Sequence, residues 1–596
     1  MPDGSDAALQ SFVDDAVEKA LADDDATGAA VAVVRDGDVA LTEGYGHAIL
    51  DEDVPIEADR SLFQLGSTVK AVTWTAAMQQ VDRGRVDPHA GIESSLTSVP
   101  VPESDEPVTL ADLATHTAGF EARVVGDKVF DRAHRRPLPE TLTDEQPPVV
   151  RPPGELPGYT NYAAGLAGQL VADVTGTSYA DYVEREIFEP LGMEQATFDP
   201  APDGLGAGPD DSYFDEIDWY SDIRPASGMS ATATDMAQFV LAHLDGGAGE
   251  RGRILSPAAT AEMHRQWYAA RDGLDGLAFG FVEETRDGTR VLSHSGQVPG
   301  FATDLLLVPE ADLGVFVSVQ GESPGGALGE VREALLDEFA PVEEATLTPD
   351  RRPTRADELS GTYRTVHGTD AETYNRLPMA AAFGAVEVSV ADDGALVTDR
   401  GGRTARWVEV EPLVFRRADG RESLTVLDRE EGLHLVFGGS AAAYERIGPH
   451  ERFEVQAPVA AGAAAVALSG AVGWPALGAY RRLRDRPGVS TDARRARRVA
   501  YAGVGSLLAL VAGLVGVGLW TVSTGVPSLQ AYPPAGFGLL FYLPVVGGVA
   551  VVGAAVYALR AWYRGDWSLP ARVHYTAVVA ATALLVWLCH YWRLAA

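Results

Sequence analysis

A chain of 596 residues, 46% hydrophobic and 22% charged, is too long for a single domain and too apolar to be disordered. Its net charge of −38 is unevenly spread: from Glu454 onward 12 Arg face 4 Asp and Glu, a net of +8, so residues 1–453 carry the difference, −46. A carboxylate-coated surface of that kind excludes nucleic acid as a partner, and a single cysteine, Cys589, excludes an intrachain disulfide.

Residues 5–23 read as an amphipathic helix. Two β-rich runs in GAAVAVVRDGDVALTEGYG, joined through Asp36-Gly37, then read as a hairpin. Helical patterns run from Ser67 to about Phe239, broken by Pro-rich loops such as RPPGELPGY. Strand signals return at LAFGFVEE, TRVLSHSG, ATDLLLVPE and LGVFVSVQ, and ALGEVREALLDEF closes the region as a helix. A sheet opened by an N-terminal hairpin, interrupted by helices and completed by later strands is an α/β sandwich over residues 1–340. Residues 341–355 read as a linker. Residues 356–450 alternate apolar and polar residues between Gly/Asp turns, as a small antiparallel barrel or sandwich does.

Four apolar stretches follow, at 457–480, 499–521, 537–559 and 573–592. Each is close to the ~20 residues that cross a bilayer, so the lipid bilayer is an expected partner. The first connection carries eight arginines and the third carries Arg560, Arg564 and Arg572, whereas STGVPSLQAYPPAG between the second and third spans is uncharged. Arginine-rich loops stay in the cytoplasm, which puts the large N-terminal region outside the cell. The start, MPDGSDAALQSFVDDAVEKALADDDA, has no signal-peptide pattern. Either a signal lies upstream of it or the domain faces the cytoplasm, and the eleven loop arginines favour the first.

Three short stretches carry chemistry. In FQLGSTVKAVT, Ser67 and Lys70 stand three apart and share a helix face. Only three basic side chains in the chain are lysines, Lys19, Lys70 and Lys128, a preference for Arg that with this acidity matches salt-loving organisms. A lysine among apolar neighbours loses its proton more readily and can act as a base. Tyr159-Thr160-Asn161 lies in a loop before a helix, and His294-Ser295-Gly296 ends a strand that runs into a Pro-Gly turn. A fourth stretch is a decoy. Gly321–Gly325 forms a GxSxG between strand and helix, but the residue after its serine is Pro324, which has no N–H for an oxyanion.

In that order, SxxK, YxN and HxG resemble the signature elements of the serine β-lactamase and penicillin-binding-protein superfamily, most closely its class C β-lactamase-related branch. LATHTAGF and PASGMSATATDMAQF agree with it. The resemblance covers about residues 8–340 and implies a β-lactamase-like fold: an antiparallel sheet flanked by helices, plus a helical subdomain. It implies that Ser67 forms an acyl-enzyme and that Lys70 activates it. Tyr159 serves as base and then as acid, and Asn161 orients substrate. His294 replaces the lysine of the KTG form of the third motif, which weakens carboxylate recognition because histidine is mostly neutral near pH 7. The oxyanion hole comes from the N–H groups of Ser67 and Gln297, beside Ser295 and Gly296. No metal and no cofactor is called for, and His116 reads as structural. The expected partner is a small-molecule or peptide acyl substrate. A catalytically inactive sensor built on the same fold stays open as the alternative, and acylation of Ser67 separates the two.

Overall fold

The computed structural model describes residues 5–595 apart from 24–25, 50–53, 123–127, 130–135, 200–219, 343–345, 367–375, 378–383, 421, 431 and 524–535. Helix α1 (Asp6–Asp23) leads into β1 (Ala26–Arg35) and β2 (Asp38–Ile49). Asp36 and Gly37 both take positive φ, 55° and 80°, as a tight two-residue hairpin requires. After the short β3 (Val54–Pro55) the chain leaves the sheet for its helical region. It returns as β4 (Gln266–Tyr268), β5 (Leu277–Ala278), β6 (Val282–Arg286), β7 (Thr289–Val298), β8 (Phe301–Val308) and β9 (Leu313–Gly321). Among the described residues the sheet order is β3-β2-β1-β9-β8-β7-β6-β5-β4.

Both faces of this sheet are covered, which explains the unbroken apolar run GAAVAVV. Val31 and Val33 share a buried cluster with Leu9, Val13 and Val17 of α1 and with Val331 and Leu335 of the closing helix Gly325–Phe339. Ala30, Ala32 and Val34 point the other way and pack with Trp74, Met236 and Phe239 of the helical region. Each such buried Val, Leu or Phe stabilises the fold by about 1.5–3 kcal/mol. LAFGFVEE is not one strand as its sequence suggests: it breaks at Gly280, whose φ is +85° and whose α-carbon lies against the indole of Trp74, where a Cβ would come within 2.0 Å.

The second helix, α2 (Val69–Asp82), is the centre of the helical region. It is buried almost all round, including Thr73, Thr75, Gln79 and Gln80, so its sequence shows no polar face. These polar side chains are bonded internally: Gln79 donates to the carbonyls of Glu186 (3.0 Å) and Ile254 (2.8 Å), and Gln80 to the Tyr182 hydroxyl (2.6 Å).

Residues expected to form a linker are pinned to the β-rich region beyond them: Leu347 N–H donates to the Ala418 carbonyl (2.8 Å) and Thr354 N–H to Glu409 (2.8 Å). Among the described residues, eight strands of that region, from Gly361–Thr365 to Ala443–Ile447, close into a barrel in chain order. Tyr363, Leu396, Trp407, Phe415 and Leu435 fill its interior. The sheet-and-helix region and the barrel belong to one compact unit; a second unit holds the described residues within 368–385 and 447–596.

In that second unit, among the described residues, four helices are long and apolar enough to cross a membrane: Phe453–Leu483, Thr491–Trp520, Phe537–Arg564 and Leu569–Tyr591. They run past the apolar stretches at several ends, the second starting ahead of Arg494, Arg495, Arg497 and Arg498. The stretch is helical there because arginines keep their heads in water while their stems lie along the helix. Most of the uncharged connection at 523–536 lies outside the described residues.

Candidate active site

Ser67 sits in a single 3₁₀ turn, Gly66–Thr68, that feeds directly into α2. Thr68 locks the turn onto the sheet, with its hydroxyl donating to the His294 carbonyl (3.1 Å) and 2.7 Å from the hydroxyl of Thr303, which donates to the Leu65 carbonyl (2.8 Å). Lys70, one residue into the helix, is fully buried. Its Nζ donates to Ser67 Oγ (2.9 Å) and to the Ala226 carbonyl (2.7 Å). Tyr159, from the loop before the helix Asn161–Thr175, donates its hydroxyl to the same Ser67 Oγ (2.7 Å). Lys70 Nζ also stands 4.9 Å from the centre of the Tyr159 ring.

Burial pushes the Tyr159 phenol well above its ordinary value, and the bond to Ser67 only partly opposes this. The phenol is therefore held protonated. Asn161 opens its helix two residues on, behind the Thr160 side chain that caps it by accepting from Tyr162 N–H (3.1 Å).

The third motif lies on β7. His294 is buried, and its Nδ1–H donates to the Ser295 carbonyl (3.0 Å). Burial, and then the charge of Lys70, lower its pKa to about 3, so this histidine is neutral across the physiological range. Ser295 faces the opposite side of the sheet, where its hydroxyl donates to Asp304 (3.1 Å) and Asp304 accepts from Arg332 (2.9 Å). Gly296 and Gln297 meet the serine turn back to back: a Cβ on Gly66 would lie 2.8 Å from Gln297 N, and one on Gly296 2.8 Å from Thr68 N. The structure thus brings Ser67, Lys70, Tyr159 and the Gly296–Gln297 backbone together. It turns the Ser295 side chain away to Asp304.

Two contributors escaped the sequence reading. PASGMS supplies its backbone rather than a side chain: the Ala226 carbonyl receives Lys70 while the Pro225 carbonyl receives Thr73 (2.7 Å), stitching that turn to α2. His116, read as structural, adopts φ +53° and lays its ring 4.4 Å from that of Tyr159. The GxSxG turn behaves as expected, Ser323 lying exposed between the last strand and the closing helix.

The beta-lactamase family model matches residues 13–338. The chain belongs to the beta-lactamase family. Penicillin-binding protein 4 of Amycolatopsis lactamdurans is 28% identical over 365 residues, 56% of this chain and 92% of that protein. D-alanyl-D-alanine-carboxypeptidase/endopeptidase AmpH of Escherichia coli (strain K12) is 26% identical over 322 residues, 49% of this chain and 79% of its own. Among solved structures, SurE with D-Leu superposes with a TM-score of 0.52 at 20% identity, covering 74% of this chain and 100% of that one. This last likeness is one of fold.

Behind the site, a buried chain of hydrogen bonds makes an acid-sensitive element. Thr75 Oγ1 lies 3.1 Å from His243 Nε2, and His243 Nδ1 lies 3.1 Å from His264 Nε2. Burial lowers the pKa of both rings, that of His264 to about 4. Their folded values lie below the unfolded value of ~6.5, so the unfolded chain takes up protons first. Stability from this pair is complete above pH ~6.5 and is withdrawn as the pH falls towards 4. Replacing His264 with Gln is expected to flatten the slope of melting temperature against pH between 6.5 and 4; an unchanged slope would refute the assignment.

Proposed function

We propose that the chain is a membrane-anchored serine hydrolase that acts through an acyl-enzyme on Ser67, with an ester, amide or lactam as substrate. One observation carries the reading: Ser67 Oγ receives both Lys70 Nζ (2.9 Å) and the Tyr159 hydroxyl (2.7 Å) in a turn locked to the sheet. Once Lys70 has released a proton to solvent, its contact with Ser67 reverses and Nζ takes the serine proton. Oγ attacks the substrate carbonyl carbon, and the N–H groups of Ser67 and Gln297 receive the oxyanion. A donor of that kind contributes about 2.7–4 kcal/mol in the transition state. Tyr159, held protonated by burial, gives its proton to the leaving group and is recharged from Lys70, leaving Ser67 acylated. Water then enters by the reverse path, frees the acid and restores the serine. Asn161 orients the substrate from the start of its helix.

The neutrality of His294 supports substrates that need no cation at this position. Acyl transfer on peptides or lactams accords with the names of the two relatives, and esters fit the same machinery. Four apolar helices and eleven loop arginines support a multi-pass anchor with the hydrolase outside the cell.

A membrane-impermeant fluorophosphonate tests both parts on intact cells. The expected result is labelling at Ser67, lost in Ser67→Ala. Labelling only after lysis would overturn the outside placement and leave the enzyme intact. No labelling in either state, with ester hydrolysis unaffected by Ser67→Ala, would overturn the enzyme and favour a ligand-binding sensor.

A further inference from the structure

Tyr159 acts from a loop, and a loop holds a hydroxyl in place only as well as its backbone is fixed. The hydrolase region supplies one backbone tether: Gly158 N–H donates to the His116 carbonyl (2.8 Å), and the His116 ring lies against the tyrosine. A second tether comes from the barrel. Tyr159 N–H donates to the Ala441 carbonyl (2.9 Å), and Gly158 pairs with Ala442 as an isolated antiparallel bridge.

The barrel turn that offers this carbonyl is itself braced. Ser440 Oγ accepts the Ala442 N–H (3.2 Å), and Gly439 N–H donates to the Asp275 carbonyl (3.3 Å) in the hydrolase region. Gly439 has φ +66°, and a Cβ there would meet the Glu283 carbonyl at 2.1 Å. Beside it Leu156, from the tyrosine loop, shares a buried cluster with Val366, Val436 and Ala443 of the barrel. Arg151 spans the same seam, donating to the carbonyls of Phe120 (3.0 Å) and Val366 (2.7 Å). Such contacts put a positioning element at the backbone of the residue that must deliver a proton.

We propose that the barrel turn Ser440–Ala442 positions Tyr159 for proton transfer to the leaving group, so that the working catalytic unit is hydrolase region plus barrel. The proposal rests on Tyr159 being the proton donor. Its signature is dependence on the leaving group: an alkoxide leaves only with a proton, whereas a p-nitrophenolate leaves almost without one. The test uses the full chain in detergent, with an alkyl and a p-nitrophenyl ester of one acid. The A441G/A442G variant loosens the turn while keeping every backbone hydrogen-bonding group, Ser440→Ala removes the brace, and Ser440→Thr keeps it. Melting temperatures accompany each. The expected result is that kcat/KM for the alkyl ester falls about tenfold more than for the aryl ester in the first two variants, with recovery in Ser440→Thr. Equal losses for both esters, or none, overturn the proposal. A wild-type chain that hydrolyses neither ester, or a Ser67→Ala chain that hydrolyses both, removes the reading on which it rests.

Discussion

Lys70→Arg is expected to abolish acylation, lowering kcat/KM by at least about 10³-fold while the protein stays folded. The substitution keeps a positive charge and a long stem, so a lysine whose task is to neutralise charge would survive it. A lysine that must accept the serine proton would not, because arginine stays protonated in proteins. The surroundings also suit an ammonium: Lys70 is fully buried, and its Nζ donates to Ser67 Oγ and to the Ala226 carbonyl. A chain that uses arginine for nearly every other basic residue retains lysine here. Rates of fluorophosphonate labelling, compared at matched melting temperature, make the measurement. Acylation within tenfold of wild type would show that Lys70 is no base.

Gly66→Ala is the second large effect. Residue 66 has φ +53°, a region that costs an L-residue roughly 1–2 kcal/mol, and the new methyl would sit 2.8 Å from Gln297 N and 3.1 Å from its carbonyl carbon. Both neighbours are backbone, so relief requires the serine turn and the end of β7 to move apart. Those are the two walls of the proposed oxyanion hole. Loss of one donor costs about 10²–10³ in kcat, and a loss of that size is expected here, with KM little changed. A variant with wild-type kcat would place the hole elsewhere.

Much of this site was legible because its spacing is local. Ser67 and Lys70 are three apart, Tyr159 and Asn161 two apart, and each pair lies where a helix begins. The hairpin at Asp36-Gly37 was equally plain, since positive φ at both residues has a sequence signature. Backbone acceptors have none. Nothing in the letters PAS says that the Ala226 carbonyl meets Lys70, or that Ala441 meets Tyr159. Gly66 stands next to Ser67, yet its reason is Gln297, distant in sequence. The break at Gly280 is similar, being dictated by an indole from α2. The apolar spans were readable from hydropathy, but not their ends, where arginines continue the helix.

The carbonyl of Ala441 has a consequence in time. During synthesis Ser67, Lys70 and Tyr159 all emerge long before the turn that receives the Tyr159 N–H, and the barrel that carries this turn closes only with Ala443–Ile447. Contacts so distant in sequence form late in folding. The first apolar helix opens a few residues further on, at Phe453. An unfinished chain therefore carries Ser67 and Lys70 before the barrel can tether Tyr159, and completion of that tether falls almost together with emergence of the first candidate span.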